Sequence, residues 1–393
     1  MRRIDLKSAN VARSSTIRDI NRQIVLNYIR ERGPISRAVI ARETALQRST
    51  VSLIVDELEI DGLVEENGGE STGGRPPSLL SLRTADAVAI GIDVGTSRTV
   101  VGTSDLAGRV LEQNEFETKP KPHEMINETV AHASRLFQKN RGTIEGIGVS
   151  LPGLVDQENG RSDIPYFKWH DLPLGEELKA EFRVPVTLDN DANAAALAEL
   201  WFGRPEIREV RDFIMVLVEE GLGTGIVFDG QVYKGEAGAA GEFGHMTIGV
   251  DAPVACSYGR RECWESFSSE RAALARYARL SGNSNKISCN ELIDLAAAGN
   301  ASARLALTET AYYLGIGIAN LIQGLAPEAV IVGGPIVRGW SLMANEVDRA
   351  VQESICRSLA YTPIIASTLG PQPTLMGAIS LVLASKFASI SLT

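Results

Sequence analysis

The sequence predicts a mixed α/β protein with two parts, an N-terminal winged helix-turn-helix and a larger body of α/β layers. Three observations lead to this prediction. The first 50 residues carry a concentrated positive charge in an otherwise acidic chain. Three short helical segments and two strand segments follow one another in the order of a winged helix-turn-helix. From about residue 85 onward, apolar strands alternate with helical segments, which is typical of α/β layers.

The composition of the 393-residue chain is ordinary for a soluble globular protein, with 44% hydrophobic and 22% charged residues. This length allows two or three domains and a large buried core. We find no run of about 18 apolar residues and no signal-peptide pattern, so we expect no membrane partner and a cytoplasmic location. The four cysteines are too few for a disulfide framework in so long a chain.

Charge is distributed unevenly along the chain. Residues 1–50 contain eleven Arg or Lys residues and four acidic residues, a net charge of +7 in a chain whose total is −10. A basic segment on an acidic body is typical of a protein in which the head alone binds a polyanion. The alternative is a solvated basic face without a ligand.

Two helical segments open the head. Apolar residues on one side of residues 17–32 predict the first helix, which ends at Gly33-Pro34 because proline cannot continue a helix. Ser36 is placed to cap a second helix over residues 37–44. The residues of this helix that we expect to face inward are Ala38, Ile40 and Ala41.

The third helix, over about residues 48–61, has the features of a recognition helix. Its apolar stripe follows the i, i+3, i+4, i+7 spacing and consists of Val51, Ile54, Val55 and Leu58. Its opposite face carries short polar and basic side chains that suit contacts to phosphates and base edges in a major groove. The residues predicted to contact DNA are Arg48, Ser49, Thr50 and Ser52, with Arg37 from the second helix.

Two short strands around a glycine-rich tip predict the wing of this motif. We expect the strands at about residues 62–66 and 77–82, with Gly74-Arg75-Pro76 in the tip. A single Arg on a narrow, extended backbone fits a minor groove, so Arg75 is a further candidate for DNA binding. The composition of the tip would also fit an interdomain linker. Together, these features favour double-stranded DNA as the partner of the head.

The body is predicted from strands that end in glycine-rich or acidic turns. Residues 87–93 and 99–104 form a hairpin whose turn, with Asp93 and Gly95, can face a phosphate. Further strands are predicted at 144–151, 186–188, 213–218, 225–228 and 329–332. Helices are predicted at 129–140, 268–280, 301–323 and 345–358. This alternation predicts α/β layers.

Four motifs of the body resemble those of the ROK family (repressors, open reading frames, kinases). They are Leu-Asp-Asn-Asp-Ala-Asn-Ala-Ala at 188–195, Gly-Leu-Gly-Thr-Gly at 221–225, Gly-Glu-Phe-Gly-His-Met at 241–246 and Cys-Trp-Glu at 263–265. The resemblance extends over about residues 17–385, and the winged head is that of the family's regulators, such as repressors of the N-acetylglucosamine and xylose type.

This resemblance implies a two-lobed, actin-like ATPase/sugar-kinase fold with the sugar in the cleft. The implied domains are residues 1–82 for the winged helix-turn-helix, 85–205 for the first lobe and 206–375 for the second lobe. A C-terminal helix at about 376–393 is expected to return to the first lobe.

The resemblance also implies a sugar site of five residues. Asn190 and Asp191 match the family's sugar-binding Asn and catalytic base, Glu242 and His245 match a pair on the other side of the sugar, and Glu265 matches a further hydroxyl ligand. An amide and a carboxylate can together hold two vicinal hydroxyls. Helix capping would explain Asn190 or Asp191 alone, and a buried, hydrogen-bonded histidine would explain His245 alone.

In this family one His and three Cys hold a structural zinc, in a loop of the pattern Cys-x-Cys-Gly-x-x-Gly-Cys. Here Tyr258 stands in place of the second Cys, and Glu262 replaces a Gly. The remaining zinc ligands are His245, Cys256 and Cys263, whereas structural zinc prefers four. Water or Glu262 could complete a weaker zinc site, and two reduced thiols are the alternative.

Both phosphate loops differ from those of the family's kinases. In the first, Thr96 replaces a glycine, and its Cβ obstructs the approach of a phosphate to the backbone. In the second, Glu219 and Glu220 replace Gly-Thr, and carboxylates there repel a triphosphate unless a metal ion bridges them. We therefore expect no ATP and no catalytic residue, with Asp191 at the position of a lost base.

The sequence thus predicts a sugar-responsive DNA-binding regulator, a repressor of carbohydrate uptake or catabolism genes that acts as a homodimer or tetramer. Its effector would be a small sugar or a sugar phosphate, and Pro152-Gly153 and residues 166–170 would line the mouth of the cleft. One alternative is an ATP-dependent sugar kinase that carries a DNA-binding head. The other is a regulator controlled by a partner protein.

Overall fold

The computed structural model contains a winged helix-turn-helix and two α/β lobes, and it describes residues 14–68, 78–83, 87–140, 142–203, 210–282, 285–370 and 372–387. The helices are α1 (Ser14–Arg32), α2 (Arg37–Thr44), α3 (Arg48–Ile60), α4 (Pro122–Lys139), α5 (Leu174–Phe182), α6 (Asp191–Phe202), α7 (Trp264–Ser268), α8 (Glu270–Ser281), α9 (Cys289–Ala297), α10 (Ala301–Leu325), α11 (Trp340–Ser354) and α12 (Pro373–Phe387). The strands are β1 (Val64–Gly68), β2 (Ser78–Leu82), β3 (Ala87–Val94), β4 (Arg98–Asp105), β5 (Val110–Glu117), β6 (Thr143–Leu151), β7 (Leu154–Asp156), β8 (Arg161–Ile164), β9 (Trp169–Leu172), β10 (Val186–Asn190), β11 (Phe213–Val218), β12 (Leu222–Phe228), β13 (Gln231–Val232), β14 (Ala329–Gly333) and β15 (Ile364–Ala366).

The head has the three helices and the two-stranded wing that the sequence predicts. Strands β1 and β2 pair antiparallel, with Val64 opposite Leu82 and Gly68 opposite Ser78. Ile35 and Leu80 exchange backbone hydrogen bonds of 3.0 and 2.8 Å, which ties the start of α2 to the wing. The fold of the head is therefore a winged helix-turn-helix.

The core of the head follows the predicted apolar stripe, with one exception. The four stripe residues of α3 are all buried, and the Ser36 side chain accepts a hydrogen bond from the Val39 N–H as the predicted cap of α2. On α2, Ile40 and Ala41 are buried, but Ala38 is exposed. The prediction for Ala38 was wrong because a residue two positions from Ile40 lies about 160° away around the helix.

The first lobe is built on a five-stranded sheet with the order β10-β6-β3-β4-β5. Strand β3 pairs parallel with β6 and antiparallel with β4, so the carboxyl ends of β3, β6 and β10 meet at one edge. A small three-stranded sheet of β7, β8 and β9 stands beside this edge. Helix α12 returns from the far end of the chain and packs on β3, β6 and α6.

The second lobe has its own five-stranded sheet with the order β13-β12-β11-β14-β15. Strand β11 pairs antiparallel with β12 and parallel with β14, and α10 packs against α7, α8, α9 and α11. By length and composition, α10 would pass for a membrane span, but 61% of its apolar window is buried inside the protein. Its apolar character is therefore explained by its place in the core of this lobe.

Helix α6 lies where the two lobes meet, and glycines allow its close approach to both. A Cβ on Gly225 of β12 would come within 2.3 Å of the Ala192 carbonyl oxygen. A Cβ on Gly377 of α12 would come within 2.5 Å of the backbone of Ala194. The alanine-rich sequence of α6 and these two glycines together bring the backbones into direct contact.

The head is joined to the body through α1. The Asn27 side-chain amide donates a 2.6 Å hydrogen bond to the Phe387 carbonyl oxygen at the end of α12. The Arg30 guanidinium stacks 4.0 Å from the centre of the Trp201 ring, near the end of α6. Trp201 and Phe387 are themselves in contact, with ring centroids 5.9 Å apart. Helix α1 therefore contacts the carboxyl ends of both α6 and α12.

Candidate functional site

A cavity, partly open to solvent, lies between the two lobes. Its walls come from the ends of β3 and β10, the turn between β11 and β12, and the segment 240–245. Its lining includes all five residues predicted to bind sugar: Asn190, Asp191, Glu242, His245 and Glu265. These residues lie up to 75 positions apart in the sequence, and the fold brings them to one cavity.

Asn190 and Asp191 are held at the amino end of α6. The Asn190 Oδ1 atom accepts hydrogen bonds from the N–H groups of Ala192 (2.9 Å) and Asn193 (3.2 Å), and its Nδ2 atom donates to the Gly153 carbonyl oxygen (3.1 Å). The Asp191 Oδ1 atom also accepts from the Ala192 N–H, at 2.7 Å. Capping therefore accounts for the orientation of both side chains, and both still line the cavity.

Carboxylates dominate the electrostatics of the cavity. Burial raises the pKa of Asp191 to about 7, against the opposing effect of the Ala192 N–H, and the charges of Asp93, Glu242 and Glu265 raise it further. Burial also raises the pKa of Asp93 to about 6, although Thr374 and Ser150 donate hydrogen bonds to its carboxylate. The site thus holds carboxyl groups that resist ionisation near neutral pH.

Glu219 and Glu220, the two residues that replace the kinase Gly-Thr, both line the cavity. Burial raises the pKa of Glu219 well above its usual value, and the charges of Asp93 and Asp191 add to this effect. Thr96 also lies in the cavity wall, next to Gly95. Both altered phosphate loops therefore face the same cavity as the candidate sugar ligands.

Asp189 differs from Asp191, although two positions separate them. The Asp189 carboxylate is buried and forms a 2.7 Å ion pair with Lys234. It also accepts hydrogen bonds from the side-chain amides of Gln157 (3.0 Å) and Asn193 (3.3 Å). Asp189 therefore fixes the position of the end of β10 through these contacts.

Glu242 and His245 lie on a short 3₁₀ turn at the opposite wall of the cavity. The His245 Nε2 atom is 3.6 Å from a Glu242 carboxylate oxygen. Burial raises the pKa of Glu242, an effect that the neighbouring His245 opposes and Glu265 reinforces. Tyr258 lies edge-on against the His245 ring, with centroids 4.6 Å apart, and also lines the cavity.

His245, Cys256 and Cys263 come together as the sequence predicts. One ligand atom from each lies within 4.8 Å of the other two. Within the described part of the chain, the His245 Nδ1 atom is buried without a hydrogen-bond partner. Burial, and then the neighbouring Cys256, raises the pKa of the Cys263 thiol to about 12. Tyr258, in place of a fourth family ligand, covers the His245 ring instead.

Glu265 is braced by the protein. Its Oε1 atom accepts hydrogen bonds from the Ser257 N–H (2.9 Å) and from Arg271 (3.1 Å), and its Oε2 atom lies 3.5 Å from the Leu222 N–H. Arg271, which is not among the residues predicted from sequence, also donates a 2.7 Å hydrogen bond to the Glu220 carbonyl oxygen. Nothing in the local sequence indicates these contacts, because they join α8 to the β11–β12 turn.

The predicted mouth of the cleft is only partly correct. Pro152, Gly153 and Tyr166 line the cavity. Trp169 instead lies buried in the first lobe, where its indole N–H donates to the Pro120 carbonyl oxygen, and Phe167 stacks against it. Residues 167–170 lie outside the lining, and Phe167 and Trp169 belong instead to the core of the first lobe.

The candidate DNA surface lies on α3 and the wing. Arg48 and Ser49 are exposed at the start of α3, and Thr50 and Ser52 are half-buried. Arg37 forms ion pairs with three acidic residues of the head, Asp56 at 2.7 Å, Glu59 at 3.2 Å and Glu66 at 3.2 Å. Arg37 is thus already neutralised, whereas Arg75 lies outside the described residues.

Known proteins resemble this chain in sequence and in fold. The xylose repressor of Bacillus spizizenii is 33% identical over 384 residues, 95% of this chain and 97% of that protein. The crystal structure of a ROK family transcriptional regulator, a homolog of the E. coli MLC protein, matches with a TM-score of 0.78 and 26% identity over 95% of this chain and 98% of its own. A ROK family glucokinase from Streptomyces griseus, in complex with glucose and AMPPNP, matches with a TM-score of 0.68 and 26% identity over 75% of this chain and 98% of its own.

The repressor and the regulator match 95% of this chain, whereas the glucokinase matches 75%. The sequence profile of the ROK family matches residues 89–385, the greater part of the chain. This chain belongs to the ROK family.

Proposed function

We propose that this protein is a sugar-responsive transcriptional repressor that binds double-stranded operator DNA through its winged head. One observation carries the proposal: a single helix, α6, joins the candidate sugar cavity to the head. Asn190 and Asp191 at its amino end line the cavity, and Trp201 near its carboxyl end contacts Arg30 of α1. Twelve residues of helix span about 18 Å between these two sites.

In this mechanism a sugar binds between Asn190 and Asp191 on one wall and Glu242 and His245 on the other. Such a ligand draws the lobes together because it bonds to both of them. A shift of α6 then changes the contacts of Trp201 with α1, and with them the orientation of the head. The sugar shifts the equilibrium by its difference in affinity for the two arrangements.

The protein is further proposed to act as a homodimer or tetramer. A twofold pair of heads matches a palindromic operator whose half-sites are separated by whole turns of DNA. A change in head orientation alters the spacing that the pair can bind. Because relatives that match almost the whole chain include a xylose repressor, xylose is the first sugar to test.

A kinase is the second candidate, since a glucokinase shares the body of the fold. The composition of the cavity argues against it. Glu219, Glu220 and the Cβ of Thr96 lie where the resemblance implies phosphate loops, and a carboxylate within about 4 Å of a phosphate costs several kcal/mol at intermediate dielectric. We therefore propose that Asp191 serves as a ligand for hydroxyl groups and not as a catalytic base.

A structural zinc is proposed at His245, Cys256 and Cys263. The donor set fits, because two sulfur atoms and an imidazole nitrogen are ligands that zinc prefers, and the buried His245 Nδ1 atom has no other partner within the described part of the chain. Bound zinc would fix the loop 256–263 beneath Glu265 and so support one wall of the cavity. With three protein ligands the site is more open than a four-ligand site.

The proposed function is tested by fluorescence anisotropy. A labelled DNA fragment from upstream of the gene and its neighbours is titrated with protein at fixed salt, with and without xylose and a panel of other sugars. Specific binding that one sugar changes supports the proposal. If no sugar changes either DNA binding or thermal stability, control by a partner protein replaces it. Sugar-dependent release of ADP from ATP establishes the kinase instead.

A further inference from the structure

The residues around the cavity also indicate the chemical class of the effector. We propose that it is an uncharged, unphosphorylated sugar, and that Glu219 and Glu220 reject the corresponding phosphate esters. This inference rests on the proposed function, which requires a sugar in this cavity but leaves its charge open.

Acidic side chains are crowded around the cavity. Among the described residues, six carboxylates line it: Asp93, Asp191, Glu219, Glu220, Glu242 and Glu265. The basic side chains in the same lining are Arg271 and His245. A phosphate dianion would add charge to a cluster in which the acidic groups already oppose one another's ionisation, and each ionised carboxylate within about 4 Å of it costs several kcal/mol at intermediate dielectric.

Arg271 offsets these charges only in part, because it already forms an ion pair with Glu265 and donates to the backbone of Glu220. Its Nε atom donates to the Glu220 carbonyl oxygen at 2.7 Å, and its Nη2 atom donates to Glu265 at 3.1 Å. Recognition of a phosphate by arginine usually needs two parallel N–H donors. Here the Nε and Nη2 donors join α8 to the β11–β12 turn and to α7, so a phosphate could form a paired contact on that edge of the guanidinium only by displacing Glu265.

The amino end of α6 is the other place where a phosphate would be expected. Free N–H groups at a helix terminus bind anions, helped by the helix dipole. In this chain Asn190 accepts hydrogen bonds from both Ala192 and Asn193, and Asp191 accepts from Ala192. The helix end that faces the cavity is therefore closed by side-chain oxygens, one of which belongs to a carboxylate.

Tyr166 adds a contact across the cleft at the same position. Its hydroxyl lies 3.4 Å from the Glu220 carboxylate, a long hydrogen bond, and its ring centre is 5.7 Å from the Arg271 guanidinium. Tyr166 follows β8 of the small sheet, whereas Glu220 and Arg271 belong to the second lobe. A group attached to the sugar on this side would have to displace Tyr166 as well as approach Glu220.

The test uses full-length protein and isothermal titration calorimetry with matched ligands. Glucose, N-acetylglucosamine and xylose are each compared with their own monophosphate ester at constant ionic strength. We expect one neutral sugar to bind at least 100-fold more tightly than its ester. An ester that binds as tightly as its neutral sugar, or more tightly, overturns this inference and leaves the proposed function intact. If neither member of any pair binds, the proposed function fails and this inference fails with it.

Variants then test the role of the two glutamates. In the double variant Glu219→Gln/Glu220→Gln, the ratio of ester to neutral affinity is expected to rise at least tenfold. The matched control is Glu158→Gln, an exposed glutamate outside the cavity, which should leave this ratio unchanged. An unchanged ratio in the double variant, with the cavity still binding the neutral sugar, would show that these two carboxylates do not exclude the ester.

Discussion

The isosteric substitution Asp191→Asn separates the cost of a buried carboxylate from its use as a ligand. The Asp191 pKa is raised from 3.8 to about 7, so the folded protein binds a proton that the unfolded chain releases. The resulting loss of stability is absent below pH 4, grows between pH 4 and 7 and is complete above pH 7. Asparagine removes this cost while its Oδ1 atom can still accept from the Ala192 N–H.

The expected magnitude follows from the size of the pKa shift. About three pKa units, at about 1.4 kcal/mol each, set an upper limit of ~4 kcal/mol at pH 8. Because Asp191 borders the water of the cavity, we expect about half of that limit, ~2 kcal/mol. Asp191→Asn should therefore stabilise the ligand-free protein at pH 8, and by only about a quarter as much at pH 4.5. The pKa values of Asp93 and Glu270 are also raised, to about 6 and about 7. Part of the dependence of stability on pH therefore remains in the variant.

The assay is thermal denaturation at pH 4.5, 6, 7 and 8, together with DNA anisotropy with and without sugar. The variant should bind operator DNA like the wild type but lose the sugar response. Asp189→Asn is the matched control with the opposite sign. It breaks the 2.7 Å ion pair with Lys234 and the Gln157 contact at the same oxygen, while the remaining oxygen can still accept from Asn193, and it should destabilise the protein by ~2 kcal/mol. Destabilisation of Asp191→Asn at pH 8, or a stability difference that does not vary with pH, would contradict this prediction.

Three further predictions concern the DNA-binding head, the contact between α6 and α1, and the proposed zinc ligands. Arg48→Ala should weaken DNA binding and reduce the slope of log affinity against log salt concentration by about one. Arg37→Ala should chiefly destabilise the head, because Asp56, Glu59 and Glu66 lose their partner. Equal salt slopes in both variants would contradict this distinction. Trp201→Ala removes the Arg30 stacking contact and should lower the free energy of unfolding by ~2 kcal/mol. The variant should keep its sugar affinity but show a smaller effect of sugar on DNA binding, and Trp201→Phe should keep more of that effect. An undiminished sugar effect in Trp201→Ala would remove α6 from the mechanism. Cys263→Ser should lower the zinc content of the purified protein and its melting temperature. The control Cys356→Ser, at an exposed position, should change neither. Equal zinc content in both variants would exclude the proposed site.

Much of the head could be predicted from sequence because its signals are local. Ser36 precedes α2, Gly33-Pro34 ends α1, and the stripe of α3 repeats with helical spacing, so each element carries its own start, stop and inner face. Helix α9 could have been found in the same way, since Ser288 and Glu291 form a capping box at its start. No helix was predicted at this position.

Other elements could not be predicted because they depend on distant partners. Strand β5 is mostly exposed and lies at the edge of its sheet, so its sequence carries no buried stripe. The strands of the small sheet have three or four residues each and are stabilised by their pairing. Arg271 was missed for the same reason, because its partners Glu220 and Glu265 are brought to it by the fold of the second lobe.

The cavity at the amino end of α6 bears on two parts of the proposed function, the loss of kinase activity and the response to sugar. A nucleotide-binding cleft can be closed by its ligand's phosphates, which attract donors from both lobes. This cavity instead has carboxylates at both altered loops and uses Tyr166 and Arg271 to make contacts across the cleft and around the β11–β12 turn. A neutral sugar then becomes the one component that must be added to bridge the walls. Because α6 carries two of the bridging residues and also the Trp201 contact with the head, the free energy of sugar binding can reach the DNA-binding surface without a chemical step.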